Sequence, residues 1–312
     1  HAPHLLLFAG NTLLEKIRYD WHDLNAQEQQ SLRGELLGAV ASAAAHKEVK
    51  LALRALGASV SALATQTSQQ WSNVLTSLFL HFGGQESADG SLAIPAEGVL
   101  PLLAVLRDLP WECADGRGGP PQAAKDALQQ QLSAGIGTFC GVMQACFAAA
   151  ASSVPAAVQC IECLGDWVHK VGVPADTLAA TPLPASVFGA LQQSALFDAS
   201  VQCVVDMLYA YRDVQRDVAM VTAVVPRVMA LQGAFRNAQE QEDSETATGL
   251  ARIFCACGVS FVPYMLQDAG ADDVRMVAEA ALLVLAHPDA DVRDLIMNFW
   301  MDLGEQWVRS PS

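Results

Sequence analysis

His287-Pro288-Asp289-Ala290-Asp291-Val292-Arg293, followed by Ile296, Phe299 and Leu303, decides the fold. Pro288 cannot continue a helix, because it has no N–H to give and its ring clashes one turn back. Asp289 has the short acceptor side chain that caps a new helix. Val292 and Arg293 open that helix. Ile296, Phe299 and Leu303 then recur at spacings of three and four, which puts them on one face. A break, a cap and an amphipathic helix in this order mark the junction between two stacked helical hairpins.

The same period fills the chain on the N-terminal side of this junction. It reads as helix over 5–19 (Leu6, Leu13, Ile17), 25–40 (Leu32, Leu36, Leu37, Val40), 47–63, 71–82, 95–108, 122–151, 155–171 and 185–196. A helix capped by Asp198 runs to Tyr211; further helices cover 215–238 with a kink at Pro226, 246–266, 274–286 and 289–308. Gly, Pro and charge clusters place loops at 83–94, 111–121, 173–184 and 239–245. The alternation of half-buried strands does not occur. About thirteen helices paired in order give six hairpins and one unpaired helix, at the period of roughly 40–47 residues that belongs to HEAT and armadillo repeats. The expected fold is all-α: a right-handed HEAT-repeat solenoid over residues 1–312, since bundles rarely reach this helix count.

Composition narrows the function. The 312 residues are 52% hydrophobic and 16% charged, enough apolar surface for a sizeable core. Net charge is -15, from 18 Lys and Arg against 33 Asp and Glu. Residues 1–150 hold 9 basic and 13 acidic groups, and residues 151–312 hold 9 and 20. Such a surface opposes direct nucleic-acid binding and anionic membranes and suits basic protein partners. The longest apolar run noted, 139–151, is broken by Gln144 and too short for a bilayer, so no spanning segment is expected. The start has neither Met nor a signal-peptide pattern, which points to a fragment or processed product.

Chemistry is hard to find in the sequence. The cysteines sit in apolar helical runs and read as buried reduced thiols; Cys160-x-x-Cys163 has the one metal-like spacing and no second ligand pair nearby. Gly135-Ile136-Gly137 lacks both the dinucleotide spacing and a preceding strand. Asp20, His22 and Asp23 read as a solvated turn, because no nucleophile accompanies them. No cofactor, metal or catalytic residue is therefore expected, and the chain reads as a binding protein. Glu240, Glu242, Asp243 and Glu245 form an acidic turn, the candidate contact for a basic partner surface. Trp167, Trp300 and Trp307 lie at helical spacing in apolar faces and are expected in the core.

Several blocks resemble one family. Phe8-Ala9-Gly10-Asn11-Thr12-Leu13-Leu14-Glu15-Lys16-Ile17 and Leu32-Arg33-Gly34-Glu35-Leu36-Leu37 resemble the early helices of the importin-β (karyopherin-β) family, and Cys163-Leu164-Gly165-Asp166-Trp167 looks like its C-L-G-S-W segment. Val204 to Tyr211, Ala251-Arg252-Ile253-Phe254 and Asn298-Phe299-Trp300-Met301-Asp302-Leu303-Gly304-Glu305 resemble the transportin-SR and importin-thirteen branch, in the same order. The resemblance implies an N-terminal segment of a nuclear transport receptor, with an exportin-like part over roughly residues 25–180. It implies binding of the Ran GTPase in its GTP form, basic cargo such as arginine-serine-rich splicing factors, docking to phenylalanine-glycine nucleoporins, and shuttling between nucleus and cytoplasm. The alternative is a HEAT scaffold that joins proteins without Ran.

Overall fold

A computed structural model describes residues 2–46, 50–114, 119–267 and 272–309. The chain divides into two compact units, residues 1–173 and 174–312. Each is all-α in the HEAT-repeat class, as the periodicity predicts.

The first unit runs α1 (Ala2–Tyr19), α2 (Ala26–Ala44), α3 (Lys50–Gln66) and α4 (Val74–His81), then strands β1 (Gln85–Glu86) and β2 (Leu92–Ala93). It continues through α5 (Ala96–Leu106), α6 (Leu109–Ala114), α7 (Gln122–Ala134), α8 (Ile136–Ala149) and α9 (Val154–Lys170). α3 packs against α1 and α5, and α5 against α9, so these helices form one layer; α2, α7 and α8 back it. Asn25 closes a capping box at the start of α2: its side chain accepts from the Glu28 amide, and Glu28 accepts from the Asn25 amide. α3 and α5 approach closely at Gly57, where a Cβ would fall 2.2 Å from the Ala104 carbonyl oxygen. The expected loop at 83–94 holds a two-stranded antiparallel hairpin that pairs Gln85 with Ala93 and Glu86 with Leu92.

The second unit comprises α10 (Ala175–Ala179), α11 (Leu183–Ala190), α12 (Phe197–Ala210), α13 (Val218–Ala230), α14 (Gln232–Glu240), α15 (Ser244–Gln267), α16 (Asp272–Leu285), α17 (Ala290–Leu295) and α18 (Met297–Arg309). α15 packs between α12 and α18, and α13 and α16 flank it. The junction that decided the fold behaves as read. Asp289 caps α17 by accepting from the Asp291 amide at 3.0 Å, and Arg293 donates back to the His287 and Pro288 carbonyls. Val292, Ile296 and Phe299 are fully buried.

Several expectations need correction. The described residues hold eighteen α-helices rather than thirteen. The run 122–151 bends by 65° at Gly135, between α7 and α8. The stretch 111–121 begins inside α6, while residues 115–118 lie outside the described residues. The stretch 173–184 contains α10 and the start of α11, where Pro174 and Pro182 serve as helix starters rather than breakers. Pro226 is carried inside α13, and the interruption comes five residues later at Leu231. Asp198 sits in the first turn of α12 and not at its cap, which is Leu196; its charge there favours the helix dipole.

The expectation about membrane length also changes. Among the described residues two stretches are long and apolar enough to cross a bilayer, Val218–Glu240 with mean hydropathy 1.6 and Ser244–Met265 with 1.3. The second is two-thirds buried in its unit, whereas the first is only 33% buried.

Candidate functional site

In the first unit, a groove of about 510 Å³ opens across the α1–α3–α5–α9 layer. α1 contributes Leu7, Asn11, Leu14 and Arg18, at spacings of four, three and four, so they share one face. α3 adds Leu51 and Arg54, the short break between α5 and α6 adds Arg107 and Asp108, and α6 adds Trp111 and Glu112. α9 supplies Asp166, with Glu162 and Lys170 one turn to either side of it on the same helix face.

These residues tie the layer together. Arg18 forms an ion pair with Glu112, both side chains nearly buried. Arg107 donates to Asp166 at 3.2 Å and pairs with Glu162. Burial works against the Arg107 charge, but Glu162 and Asp166 outweigh it, so its pKa lies above the usual value. Asp166 also accepts from the Trp111 indole N–H at 3.1 Å, and the Lys170 ammonium lies 3.9 Å above that ring. Trp111 remains 37% exposed at the rim.

Asp108 is different. Among the described residues its carboxylate makes no hydrogen bond or ion pair, and Arg54 and Arg107 only partly relieve its burial. Desolvation pushes its pKa up to about 6. The groove thus combines apolar walls, an exposed Arg54 and a carboxylate in want of a cation. That arrangement is suited to a protein surface carrying both charge signs. Burial pushes the thiol of Cys113, next along α6, up to about 12.

The residues singled out in the sequence are scattered. Glu240, Glu242, Asp243 and Glu245 are all exposed on the turn from α14 to α15. Two of them shape the turn. Glu242 has φ of 54°, and the Asp243 amide reaches back to the Ala238 carbonyl at 2.9 Å, a Schellman ending with glutamate where glycine is usual. Asp243 caps α15 through the Thr246 amide, and its contacts to the Thr246 side chain and amide hold its pKa below the usual range.

Trp167 is fully buried. Trp300 is half-buried, edge-on to Phe299 at 4.8 Å. Trp307 is 66% exposed, which corrects the expectation of a core position: no described element covers that face at the end of α18. Cys160 and Cys163 are buried, no two described cysteines are joined, and the described residues include no cluster suited to a metal. Burial raises the Cys146 and Cys257 thiols to about 12. The groove itself was missed in the sequence. Its one local signal is the charged i, i+4 series Glu162, Asp166, Lys170.

Comparison with known proteins fits this architecture. Residues 50–204 match the Exportin 1-like protein family, and residues 242–311 match the second TPR domain of Transportin-3/Importin-13. Importin-13 of Mus musculus is 28% identical over 259 residues, covering 82% of this chain and 26% of the relative. Transportin MOS14 of Arabidopsis thaliana is 24% identical over 306 residues, 96% of this chain and 30% of the relative. Importin-13 of Homo sapiens is 27% identical over 261 residues. The chain therefore spans less than a third of the length of these relatives. With family matches in both units, on a layered helical fold of the HEAT type, the chain belongs to the importin-β (karyopherin-β) family.

Proposed function

We propose that this chain is part of a nuclear transport receptor and that the groove of its first unit contacts the Ran GTPase in its GTP form. The observation that carries this is the charged groove laid across successive helices of one layer, with Arg54 exposed and Asp108 unpaired. A GTPase surface with both charge signs satisfies both groups. Family membership supplies the partner; importin and transportin are the names its relatives bear. The exposed acidic turn Glu240, Glu242, Asp243 and Glu245 is a second contact, suited to basic cargo of the arginine-serine-rich kind. Phenylalanine-glycine nucleoporins are further partners, and the receptor shuttles between nucleus and cytoplasm.

The test is Leu51→Glu, a change at a groove-lining position that is 68% exposed. Bio-layer interferometry with Ran loaded with a non-hydrolysable GTP analogue should show binding at least tenfold weaker than for the parent chain, with the melting temperature unchanged. Equal binding by the two chains would refute the placement of the partner in this groove.

A further inference from the structure

The second unit carries a larger opening that this function does not use: a groove of about 1020 Å³ along α13, walled on the other side by α15, α16 and α18. Val218, Val221, Thr222 and Val225 of α13 line it at i, i+3, i+4 and i+7. That is the spacing of a face meant for another helix. Val218 is 55% exposed, and the apolar stretch to which it belongs is only 33% buried. Opposite stand Val259, Phe261, Met265, Val274 and Val277.

Two polar side chains in this apolar groove have no hydrogen-bond partner among the described residues. Ser260 is 3% exposed, and its hydroxyl has no partner. Among the described residues the half-buried Asp302 carboxylate makes no hydrogen bond or ion pair. Pro226 and Pro263 line the groove as well, each inside its helix. Neither has an N–H for the carbonyl four residues back, so Thr222 and Val259, both in the lining, each lack that helical bond. A hydroxyl, a carboxylate and two backbone carbonyls in one apolar groove call for a cation with several N–H groups. A guanidinium, with five, fits best.

We propose that this groove docks an amphipathic helix of a partner protein, with an arginine on its apolar face that enters among Ser260, Asp302 and the carbonyls of Thr222 and Val259. The stripe on α13 selects the helix, and the acceptors select the cation. A lipid surface is disfavoured: Asp302 and Asp213 face the opening, Arg212 is the one basic residue in the lining, and anionic headgroups would be repelled. The proposal stands independently of Ran binding, which concerns the other unit.

The test is fluorescence anisotropy of the full 312-residue chain with a labelled, helix-stabilised 15-residue peptide bearing leucines at i, i+3, i+4 and i+7 and one arginine among them. Three comparison probes are the arginine→norleucine peptide, a scrambled peptide, and vesicles of phosphatidylcholine and phosphatidylserine. Saturable binding is expected. It should weaken about tenfold on removing the arginine, and about tenfold in Asp302→Asn. The Asp302→Asn chain should no longer distinguish the two peptides. Val218→Asp, at an exposed position, should weaken both peptides at least tenfold while the melting temperature stays unchanged. Absence of saturable binding, equal binding of the scrambled peptide, indifference to Val218→Asp, or vesicle binding that Val218→Asp abolishes would each overturn the proposal.

Discussion

Replacing Trp167 by alanine tests how the first unit is held together. Its indole is fully buried and stacked on Phe139, with ring centroids 3.8 Å apart and planes 7° from parallel. Its N–H donates to the Leu106 carbonyl at 2.8 Å. That carbonyl ends α5, and the residue four places on is Pro110, which has no N–H to offer, so Trp167 satisfies an acceptor the helix cannot. Truncating a buried aromatic to alanine costs about 3–5 kcal/mol through lost transfer energy and the cavity left behind. The orphaned carbonyl adds to this, so the upper half of that range, about 4–5 kcal/mol, is expected. Trp167→Phe keeps a ring on Phe139 and loses the N–H, which should cost about 1–3 kcal/mol. Urea unfolding followed by far-UV circular dichroism measures both. A loss under about 1 kcal/mol for Trp167→Ala, or equal losses for the two variants, would refute the reasoning.

Three further outcomes follow. Glu242→Gly should stabilise the turn from α14 to α15 by about 1 kcal/mol, because φ of 54° costs glutamate and not glycine; thermal melts read it, and destabilisation would contradict the Schellman assignment. Gly57→Ala should cost roughly 1–3 kcal/mol in chemical denaturation, since its Cβ meets the Ala104 carbonyl on α5 at 2.2 Å. Asp108 has a folded pKa of about 6 against an ordinary 3.8, so its stabilising contribution is present below about pH 4 and lost as pH rises through 6. Asp108→Asn should remove that slope, and the gap between the two chains' melting temperatures should widen from pH 4 to pH 7 in favour of the variant; a constant gap would show that Asp108 is not desolvated.

The sequence revealed the helices wherever a local rule forced them. Pro288 and Asp289 break and cap, Asn25 and Glu28 cap each other, and the apolar residues of α9 repeat around Trp167. It concealed breaks that depend on packing. Gly135 bends its run because α7 and α8 pack on different neighbours, and Pro226 stays inside α13 although proline is ordinarily disruptive. The groove of the first unit was illegible for a plainer reason. Arg18 meets Glu112, and Trp111 meets Asp166, across 94 and 55 residues of chain, and no local pattern encodes such pairings. The acidic turn stood out because its charges are adjacent, yet Asp243 is occupied in capping α15.

The proposed function requires this chain to bind Ran in a nucleotide-dependent way. Isothermal titration of the chain with Ran loaded with a non-hydrolysable GTP analogue, and separately with GDP, tests it most directly. Saturable binding to the GTP-analogue form is expected, at least a hundredfold tighter than to the GDP form. Equal affinity for the two forms, or no heat with either, would contradict it.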